Sequence, residues 1–334
     1  MTELASLPGR KADHLRIAAQ PGVLHTRGAG LDALRLRHRA LPGRDLADVS
    51  LATTLFGQTL AAPLFVSAMT GGTPEAGRVN MRLAEAAAEH GIGLTLGSGR
   101  ALLQDAGLLG TYRSAARPPL LLANLGSSQL QDRDAARRIV DLLDADGLSI
   151  HLNPIQEAVQ PEGEPVSARA LDDIARAVAD LHPLPVVVKE VGFGMDPEDV
   201  ALLAAAGVAA VDVAGAGGTN WALVEGQRDP GAQAVAAAFA DWGVPTADAV
   251  RGAVAAAPAL PVIASGGVRD GVEAAKCLAL GAVAAGLARQ LLLAAQEDRA
   301  AAAVATVIEQ LRIAVWAAGA PSAAALAPDH LQAS

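Results

Sequence analysis

Four polar side chains lie within seven positions of one another in the stretch HLNPIQE, residues 151–157. His151, Asn153, Gln156 and Glu157 directly follow the apolar run GLSI, which has the composition of a β-strand. A lone histidine at such a place is more often structural. Together, however, an imidazole and two amides can hydrogen-bond phosphate oxygens, and a carboxylate can bind Mg²⁺. The cluster therefore suits a diphosphate with its metal ion.

A lysine, Lys189, interrupts the apolar run PVVVKEV at residues 185–191. Lysine is rarely buried unless it is paired or functional. A surface pair with Glu190 is disfavoured because neighbouring residues of a strand point to opposite faces. Lys189 is therefore predicted to face an electron-rich ligand, either as a cation beside a flavin ring or as a Schiff-base amine.

Three glycine-rich stretches follow predicted strands late in the chain, namely GAGGTN (215–220), SGGVRDG (265–271) and GLAR (286–289). Each of them could be an ordinary tight turn. The last two, however, match the phosphate-binding loops that follow strands seven and eight of many (β/α)₈ barrels. Exposed backbone N–H groups at the start of a helix favour a phosphate. We therefore predict that these loops hold the phosphate of a ligand.

The single cysteine, Cys277, lies in the middle of a predicted helix, VEAAKCLALG. This position favours a core residue over a nucleophile, which would be expected on a loop. One cysteine also excludes an internal disulfide. Residues 1–15 contain no apolar segment followed by a small-residue cleavage site, so nothing marks the chain for secretion. Both observations predict a cytoplasmic protein.

The elements that must position these residues alternate regularly. Amphipathic helical stretches such as 75–90 and 270–281 separate eight apolar runs. The runs span residues 63–69, 91–97, 120–126, 147–153, 185–191, 210–215, 261–267 and 282–288. This pattern predicts an α/β fold, a (β/α)₈ TIM barrel over residues 61–318, whose functional residues collect at the carboxyl ends of the strands. Residues 1–60 would form an N-terminal basic arm and a lead-in to the barrel, and the tail 319–334 would be poorly ordered.

Composition and charge narrow the partners. Of 334 residues 51% are hydrophobic, yet no run of about 18 apolar residues is free of charge, Pro and Gly, which predicts a soluble protein without a membrane partner. Residues 1–44 carry eight Lys/Arg against three Asp/Glu, so the net charge of −9 leaves −14 for the remainder. The acidic body argues against nucleic acid. The basic arm is either a solvated face or a holder for a small anion such as a diphosphate.

Six segments make the sequence resemble the type 2, FMN-dependent isopentenyl-diphosphate delta-isomerases. They are RKADH (10–14), SAMTGG (67–72), IHLNPIQEAVQPEGE (150–164), VKEVGFG (188–194), DVAGAGGTNW (212–221) and ASGGVRDG (264–271). The third and fourth are rarely found together elsewhere. The resemblance implies an FMN-binding barrel that converts isopentenyl diphosphate to dimethylallyl diphosphate, with Mg²⁺, a reduced flavin, NADPH or NADH as reductant, and a homotetramer or octamer.

The resemblance also implies roles for individual residues. It assigns FMN contacts to Ala68, Met69, Thr70, Ser98, Asn124, Lys189, Ala214, Thr219, Gly266, Gly267, Leu287 and Ala288. Substrate contacts fall to Arg10, Lys11, Ser98, Arg100, His151, Asn153 and Gln156, and Mg²⁺ to Glu157. Among these, His151, Gln156 and Lys189 are the catalytic candidates. The reduced flavin would act as acid and base, Lys189 would stabilise its anionic form, and Gln156 would orient or relay a proton.

Some features leave alternatives open. Ala214 stands where the family often has serine, Ala216 where a larger residue is frequent, and Gly99 where Gln or Met is usual; the first change puts one flavin contact in doubt. An FMN oxidoreductase of the hydroxy-acid oxidase kind would want a His and paired Arg near the late strands, and one of the nucleotide-dehydrogenase kind a loop cysteine. A catalytically silent flavin-binding protein is the remaining alternative.

Overall fold

The eight apolar runs form the strands of one closed parallel barrel in the computed structural model, which describes residues 7–333. Neighbours around the barrel follow chain order, and the last barrel strand pairs with the first, Ala285 beside Leu64. The predicted (β/α)₈ barrel is confirmed. In chain order the strands are β1 (Leu34–Leu36), β2 (Thr53–Leu55), β3 (Gln58–Leu60), then the barrel strands β4 (Leu64–Val66), β5 (Gly93–Thr95), β6 (Leu120–Gly126), β7 (Gly147–His151), β8 (Val186–Lys189), β9 (Ala210–Asp212), β10 (Val262–Ala264) and β11 (Ala284–Leu287), and finally β12 (Leu331–Ala333).

Helices pack around the barrel, and all of those described except α1 follow a barrel strand in the chain. They are α1 (Leu7–Ala18), α2 (Pro74–Glu89), α3 (Arg100–Gln104), α4 (Ala135–Leu143), α5 (Pro154–Val159), α6 (Ala170–Leu181), α7 (Pro197–Ala205), α8 (Trp221–Arg228), α9 (Gln233–Ala237), α10 (Thr246–Ala256), α11 (Gly271–Ala279), α12 (Arg289–Gln296) and α13 (Ala300–Ala317). Cys277 is fully buried in α11. Burial raises the pKa of its thiol to about 12, so the prediction of a core residue is confirmed.

Capping residues set where several helices begin. Thr73, Asp196 and Asp270 each accept a hydrogen bond from a backbone N–H in the first turn of the following helix, at 3.1, 2.8 and 2.8 Å. Proline follows the first two at the first helical position, where its missing N–H costs nothing. The caps fix the points at which the loops after β4, β8 and β10 turn into helices, so these parts of the upper rim are short and well defined.

A hairpin closes the lower end of the barrel. Strands β2 and β3 pair antiparallel around a turn in which Phe56 and Gly57 have φ of 52° and 78°. Leu55 and Leu60 pack with Phe65 and other buried residues at the amino ends of the barrel strands. The hairpin thereby seals one end of the barrel, and the carboxyl ends of the strands remain for a ligand.

The arm lies over the upper rim of its own barrel. Helix α1 packs against α8, and Arg289 at the start of α12 donates to the carbonyls of Ala18 and Ala19 at 3.1 and 2.7 Å. The chain then adds to the glycine-rich loop after β9, where Leu24 forms a bridge with Thr219. The arm is therefore held to two of the three glycine-rich loops.

The tail differs from the sequence-based expectation. Residues 320–333 form two 3₁₀ helices, Ala323–Ala325 and Pro328–His330, and strand β12, which pairs antiparallel with β1. Ala320, Ala323 and Leu326 are buried. The prediction of a poorly ordered tail is wrong because the Ala-rich composition hides a few apolar residues that pack on the barrel's outer helices.

One helix among the described residues, α13, is long and apolar enough to span a membrane by length and composition alone. In the structure it packs against α2, α11 and α12, and Val304, Leu311 and Val315 on that side are buried. Such packing is that of a barrel helix.

Removing the tail should lower stability. A chain that ends at Gly319 loses the burial of Ala320, Ala323 and Leu326 and leaves the edge of β1 unpaired. We expect the free energy of unfolding, measured by urea denaturation, to fall by roughly 3 kcal/mol, since a buried leucine and two small apolar side chains are exposed. A shorter truncation after His330 removes only β12 and should cost less. An unchanged midpoint for both chains would show that the tail contributes no packing.

Candidate active site

One cavity of about 420 Å³ opens at the carboxyl ends of the barrel strands and under helix α1. Almost every site residue predicted from the sequence lines it. Those residues are Arg10, Lys11, Ala68, Met69, Thr70, Ser98, Arg100, Asn124, His151, Asn153, Gln156, Glu157, Lys189, Ala214, Thr219, Gly266, Gly267 and Ala288. The exception is Leu287, whose side chain is buried in the barrel core.

Three cations from distant parts of the chain meet at one side of the cavity. Arg10 and Lys11 come from α1, and Arg100 opens α3. Burial and the neighbouring Arg100 lower the pKa of Arg10. Burial, Arg10 and Arg100 lower the pKa of Lys11 to about 8. Like charges held this close in a partly dry site favour binding of a compact, multiply charged anion.

A buried carboxylate, Glu225 on α8, ties the arm to this side of the cavity. Its Oε1 lies at ion-pair distance, 2.8 Å, from His14 Nε2 and accepts a hydrogen bond from Gln156 Nε2, also at 2.8 Å. Its Oε2 accepts from Arg228 Nε, also at 2.8 Å. Burial alone would raise the pKa of Glu225, but the hydrogen bonds and charge of its partners outweigh burial and lower the pKa to about 2. Glu225 is therefore ionised at neutral pH and lies beneath the arm.

A second contact reinforces the same connection. With its amide oriented to satisfy both neighbours, Gln160 accepts from Arg10 Nη1 at 2.9 Å and donates to Glu225 Oε1 at 3.1 Å. The His14 ring also meets the Trp221 ring edge-on, with centroids 5.4 Å apart. The position of Arg10 is therefore fixed by the elements that surround the cavity.

The HLNPIQE segment places its amides and carboxylate in a short chain of hydrogen bonds. Gln156 and Glu157 lie in helix α5, because Pro154 starts a helix directly after Asn153. Asn153 Nδ2 donates to Gln156 Oε1 at 3.1 Å and to Glu157 Oε1 at 3.0 Å. The Gln156 amide is thus held at its oxygen by Asn153 and at its nitrogen by Glu225.

His151 is a neutral imidazole in this arrangement. Its Nδ1 lies 2.7 Å from Asn124 Oδ1 and therefore carries the proton of that hydrogen bond. Burial, followed by the charges of Lys189, Lys11 and Arg100, lowers the pKa of His151 to about 3. The ring would become a second proton donor only when an anion such as a phosphate offsets those cations.

Lys189 stands at the end of β8, is only 6% exposed and lines the cavity, as its place in the strand predicts. Its Nζ donates to the carbonyl of Glu190 at 2.5 Å. Glu190 is itself buried, so it is not the solvated partner of a surface pair. Its Oε2 accepts from the N–H groups of Val191, Gly192 and Phe193 at 2.6, 2.6 and 2.5 Å. Glu190 thereby shapes the loop that follows Lys189.

The other side of the cavity fits FMN. Gly217, Gly218, Gly266 and Gly267 line it, and a Cβ on Gly218 would lie 2.6 Å from Gly267 N, so the two loops approach at backbone distance. Helix α11 starts just beyond the loop with Gly266 and Gly267, and α12 starts directly after the third glycine-rich loop, as a phosphate site requires. Ser67 Oγ, buried beside the cavity, has no hydrogen-bond partner within residues 7–333. A polar ligand with a phosphate tail satisfies these features.

No group of three or more His, Cys, Asp or Glu in the described part of the chain could hold a metal ion by itself. Glu157 accepts one hydrogen bond at each oxygen, from Asn153 and from the backbone of Glu164, and keeps further lone pairs. Mg²⁺ commonly takes only one or two protein carboxylates and completes its shell with phosphate and water oxygens. Glu157 therefore fits Mg²⁺ that arrives with a diphosphate.

Of the three positions that depart from the family pattern, one lines the cavity and two lie behind its wall. Ala214 lines the cavity at φ of 36°, a conformation unusual for a residue with a Cβ. Ala216 is buried and bridges to Pro245. A Cβ on Gly99 would lie 2.4 Å from the side chain of Ile139, so the small residue matches its packing. Only Ala214 can affect a ligand directly.

Sequence reasoning missed the residues that act through others. Glu225, Gln160, Gln129 and Trp221 all border the cavity or its hydrogen bonds. A signal did exist for His14, because it follows Arg10 and Lys11 by four and three positions on one helix, a spacing that places residues on the same face. For Glu225 the signal was a glutamate one turn after Trp221 in an otherwise apolar stretch.

A family model described as FMN-dependent dehydrogenase matches residues 5–104 and 121–333. Solved structures with the same fold include a mandelate oxidase variant with (S)-mandelic acid (TM-score 0.67, 21% identity, 98% of this chain and 94% of that one) and a flavocytochrome b2 variant with benzoylformate (TM-score 0.69, 18% identity, 97% and 82%). At these identities the structures establish the barrel fold. The fold and the family model together define an FMN-dependent dehydrogenase-type barrel.

Relatives with higher sequence identity indicate a narrower group within this family. A protein named isopentenyl-diphosphate delta-isomerase from Stutzerimonas stutzeri (strain A1501) is 47% identical over 332 residues, which cover 96% of each chain. One of the same name from Xanthobacter autotrophicus is 49% identical over 327 residues, covering 95% of each. The chain therefore belongs to the isopentenyl-diphosphate delta-isomerase branch of the FMN-dependent dehydrogenase family.

The shifted pKa of Lys11 predicts pH-dependent anion binding. A lysine with a pKa of about 8 is a cation below that pH and loses its charge above it. We expect the affinity of FMN-loaded protein for inorganic pyrophosphate with Mg²⁺ to fall, relative to that of a Lys11→Ala variant, as pH rises from about 7 to about 9.5. Both proteins are titrated by calorimetry, and the comparison between them removes the effect of the ionisation of pyrophosphate itself. Parallel pH profiles would show that Lys11 does not titrate in this range.

Proposed function

We propose that this protein interconverts isopentenyl diphosphate and dimethylallyl diphosphate. The observation that carries the proposal is a single cavity with two different ends. Arg10, Lys11 and Arg100, with Glu157 beside them, form an end suited to a diphosphate with Mg²⁺. The glycine-rich loops and Lys189 form an end suited to FMN. The names of the relatives support the diphosphate, and the family model supports FMN.

At the first end the residues would bind the diphosphate. Arg10, Lys11 and Arg100 supply charge-assisted hydrogen bonds, which are stronger than those of neutral donors. His151 adds a donor once the anion raises its pKa, and Glu157 would hold the Mg²⁺ that the diphosphate brings. With the diphosphate bound at this end, the five-carbon tail would extend toward the remaining part of the cavity.

At the second end the double bond moves. The reaction requires one carbon to gain a proton and another to lose one, without net oxidation. The chemistry supplied by bound reduced FMN would be that of an acid and a base beside an apolar tail. Lys189 would stabilise negative charge near the ring. Gln156, held by Asn153 and Glu225, would orient the reacting carbons or relay a proton, since a neutral amide is too weak a base to act alone.

Helix α1 would exclude water from this chemistry. Arg10, Lys11, His14 and Leu15 line the cavity from above, and Trp221 lies below them. A closed, dry site strengthens the electrostatic interactions within it and protects a reduced flavin from side reactions.

The cellular setting is part of the proposal. NADPH or NADH would reduce the flavin, and the protein would act in the cytoplasm as a homotetramer or octamer without nucleic acid or membrane partners. The family resemblance, the single cysteine and the acidic body support these statements.

The oxidase alternatives lack residues in the required places. Arg269, after β10, pairs with Glu273 and Asp32, and Arg289 donates to carbonyls of the arm. Neither arginine has a histidine beside it in the sequence. Cys277 is buried in α11, so it is no loop nucleophile. These contacts favour the isomerase over hydroxy-acid oxidase or nucleotide-dehydrogenase chemistry.

The direct test is anaerobic incubation of the purified protein with FMN, NADPH, Mg²⁺ and isopentenyl diphosphate, followed by product analysis. We expect dimethylallyl diphosphate to form, and to form only after the flavin is reduced. Flavin binding without any product would instead favour a catalytically silent flavoprotein. Turnover of a 2-hydroxy acid by the oxidised protein would favour an oxidase.

Replacing Lys189 should affect the reduced flavin selectively. Lys189→Ala removes the cation at the end of β8, and a charged hydrogen bond of this kind is worth about 1.5–3 kcal/mol. That loss corresponds to a two-electron midpoint potential lower by about 30–60 mV, measured by anaerobic reductive titration. Lys276→Ala is the matched control, because Lys276 is also buried and bonded to a carbonyl, that of Leu31, but lies outside the cavity. If the Lys189→Ala and Lys276→Ala proteins have the same midpoint potential, Lys189 does not interact with the flavin.

Replacing Glu157 should affect the metal selectively. Glu157→Gln keeps the side-chain shape but is a poorer ligand for a hard cation. We expect FMN binding to stay unchanged while the Mg²⁺ concentration for half-maximal turnover rises at least about tenfold. Glu162→Gln is the control, since Glu162 lies in the same segment but pairs with Arg228. If the Glu157 variant responds to Mg²⁺ as the unmodified protein does, the metal ligand must lie elsewhere.

A further inference from the structure

Glu164 contacts both kinds of ligand residue at the diphosphate end of the cavity. Its side-chain Oε1 accepts from Arg100 Nη2 at 2.7 Å, and its Oε2 accepts from Gln129 Nε2 at 3.2 Å. Its backbone N–H donates to Glu157 Oε2 at 2.6 Å. One residue thus touches a cation that faces the anion and the carboxylate that faces the metal.

The chain reaches this position through a tight reversal. Gly163 N donates to the carbonyl of Gln160 at 2.9 Å, so the segment folds back over the end of α5. A Cβ on Gly163 would lie only 1.9 Å from the carbonyl oxygen of Glu157, and therefore glycine is needed there. The reversal fixes where the backbone of Glu164 lies relative to Glu157.

The side chain of Glu164 is supported from the opposite side. Gln129 donates to it while its own Oε1 accepts from Gly126 N, at 3.0 Å, at the end of β6. Within residues 7–333, Glu164 supplies the only side-chain acceptor that the structure gives the Arg100 guanidinium. Only one of the five N–H donors of the guanidinium is used in this contact. The others remain for a ligand in the cavity that Arg100 lines.

The contact between Glu164 and Arg100 is electrostatically favourable before any ligand binds. Burial is the main cause of the lowered pKa values of Arg10, Lys11 and His151, and the nearby charge of Arg100 lowers all three further. A carboxylate on the outer edge of Arg100 offsets part of the repulsion between these cations. It keeps the guanidinium at the cavity wall when an arginine with no partner would extend into solvent.

We propose that Glu164 is a positioning residue for the diphosphate site, which holds Arg100 in the orientation that receives the anion. The inference rests on the proposed function for the identity of the ligand. The opposite role, in which Glu164 competes with the anion for Arg100, predicts the opposite sign in the experiment below.

The test uses FMN-loaded protein and inorganic pyrophosphate with Mg²⁺ as the probe, titrated by calorimetry. Glu164→Ala should weaken pyrophosphate binding at least about tenfold. Glu164→Gln should be intermediate because its amide oxygen can still accept from Arg100. Asp132→Asn is the matched control, since Asp132 pairs with the nearby Arg138 outside the cavity, and it should leave binding unchanged. In an Arg100→Ala background the effect of Glu164→Ala should vanish, as a double-mutant cycle requires.

Enzyme kinetics separate a positioning role from a purely structural one. The backbone N–H of residue 164 persists in all variants, so a positioning role predicts unchanged FMN affinity and Mg²⁺ requirement, and a KM for isopentenyl diphosphate that rises more than kcat falls. Unchanged or tighter pyrophosphate binding in Glu164→Ala overturns the inference. If Glu164→Ala also loses FMN, Glu164→Gln decides, and wild-type affinity in that variant overturns it as well. Protein that binds pyrophosphate in the expected order but never isomerises the substrate contradicts the proposed function only.

Discussion

The upper rim depends on the ionised carboxylate of Glu225, which is fully buried. A buried charge is tolerated only when hydrogen bonds or opposite charges satisfy it, and here Gln156 and Arg228 donate to the carboxylate while His14 lies at ion-pair distance. These partners come from the arm, from the segment after β7 and from α8 itself. The same anion therefore fixes the arm above the cavity and the amide of Gln156 within it. Removing any one partner would leave the buried carboxylate with fewer donors or less opposite charge, so the anion links the three elements.

Around this anion the protein gathers cations that would otherwise separate. Arg10, Lys11, Arg100 and Lys189 all line the cavity, and burial together with these neighbouring charges lowers the pKa values of Lys11 and His151. An arrangement that is unfavourable for the free protein becomes favourable when an anion enters, because the ligand then supplies the missing charge. Under the proposed function, the diphosphate of the substrate would supply that charge.

The sequence predicts the parts of this structure that follow from local rules. Alternation of apolar runs with helical stretches is enough for a barrel, and the rule that functional residues collect at strand ends brings His151, Lys189 and Gly266 to one cavity. Prediction from the sequence fails where the deciding contact joins residues that are far apart in the chain. Glu225 and Gln156 are 69 positions apart, and nothing local marks them as partners. The tail was misjudged for a similar reason, since its order depends on pairing with β1.

The likeness to mandelate oxidases shows how little the barrel itself decides. About one residue in five is identical, and yet nearly the whole chain superposes. A shared fold supplies a rim with glycine-rich loops, and chemistry is determined by the side chains placed around it. Here those are a basic helix from the arm and a carboxylate at Glu157, neither of which belongs to the eight strands. The features that distinguish this protein lie in segments added to the barrel, and they act because Glu225 joins those segments to it.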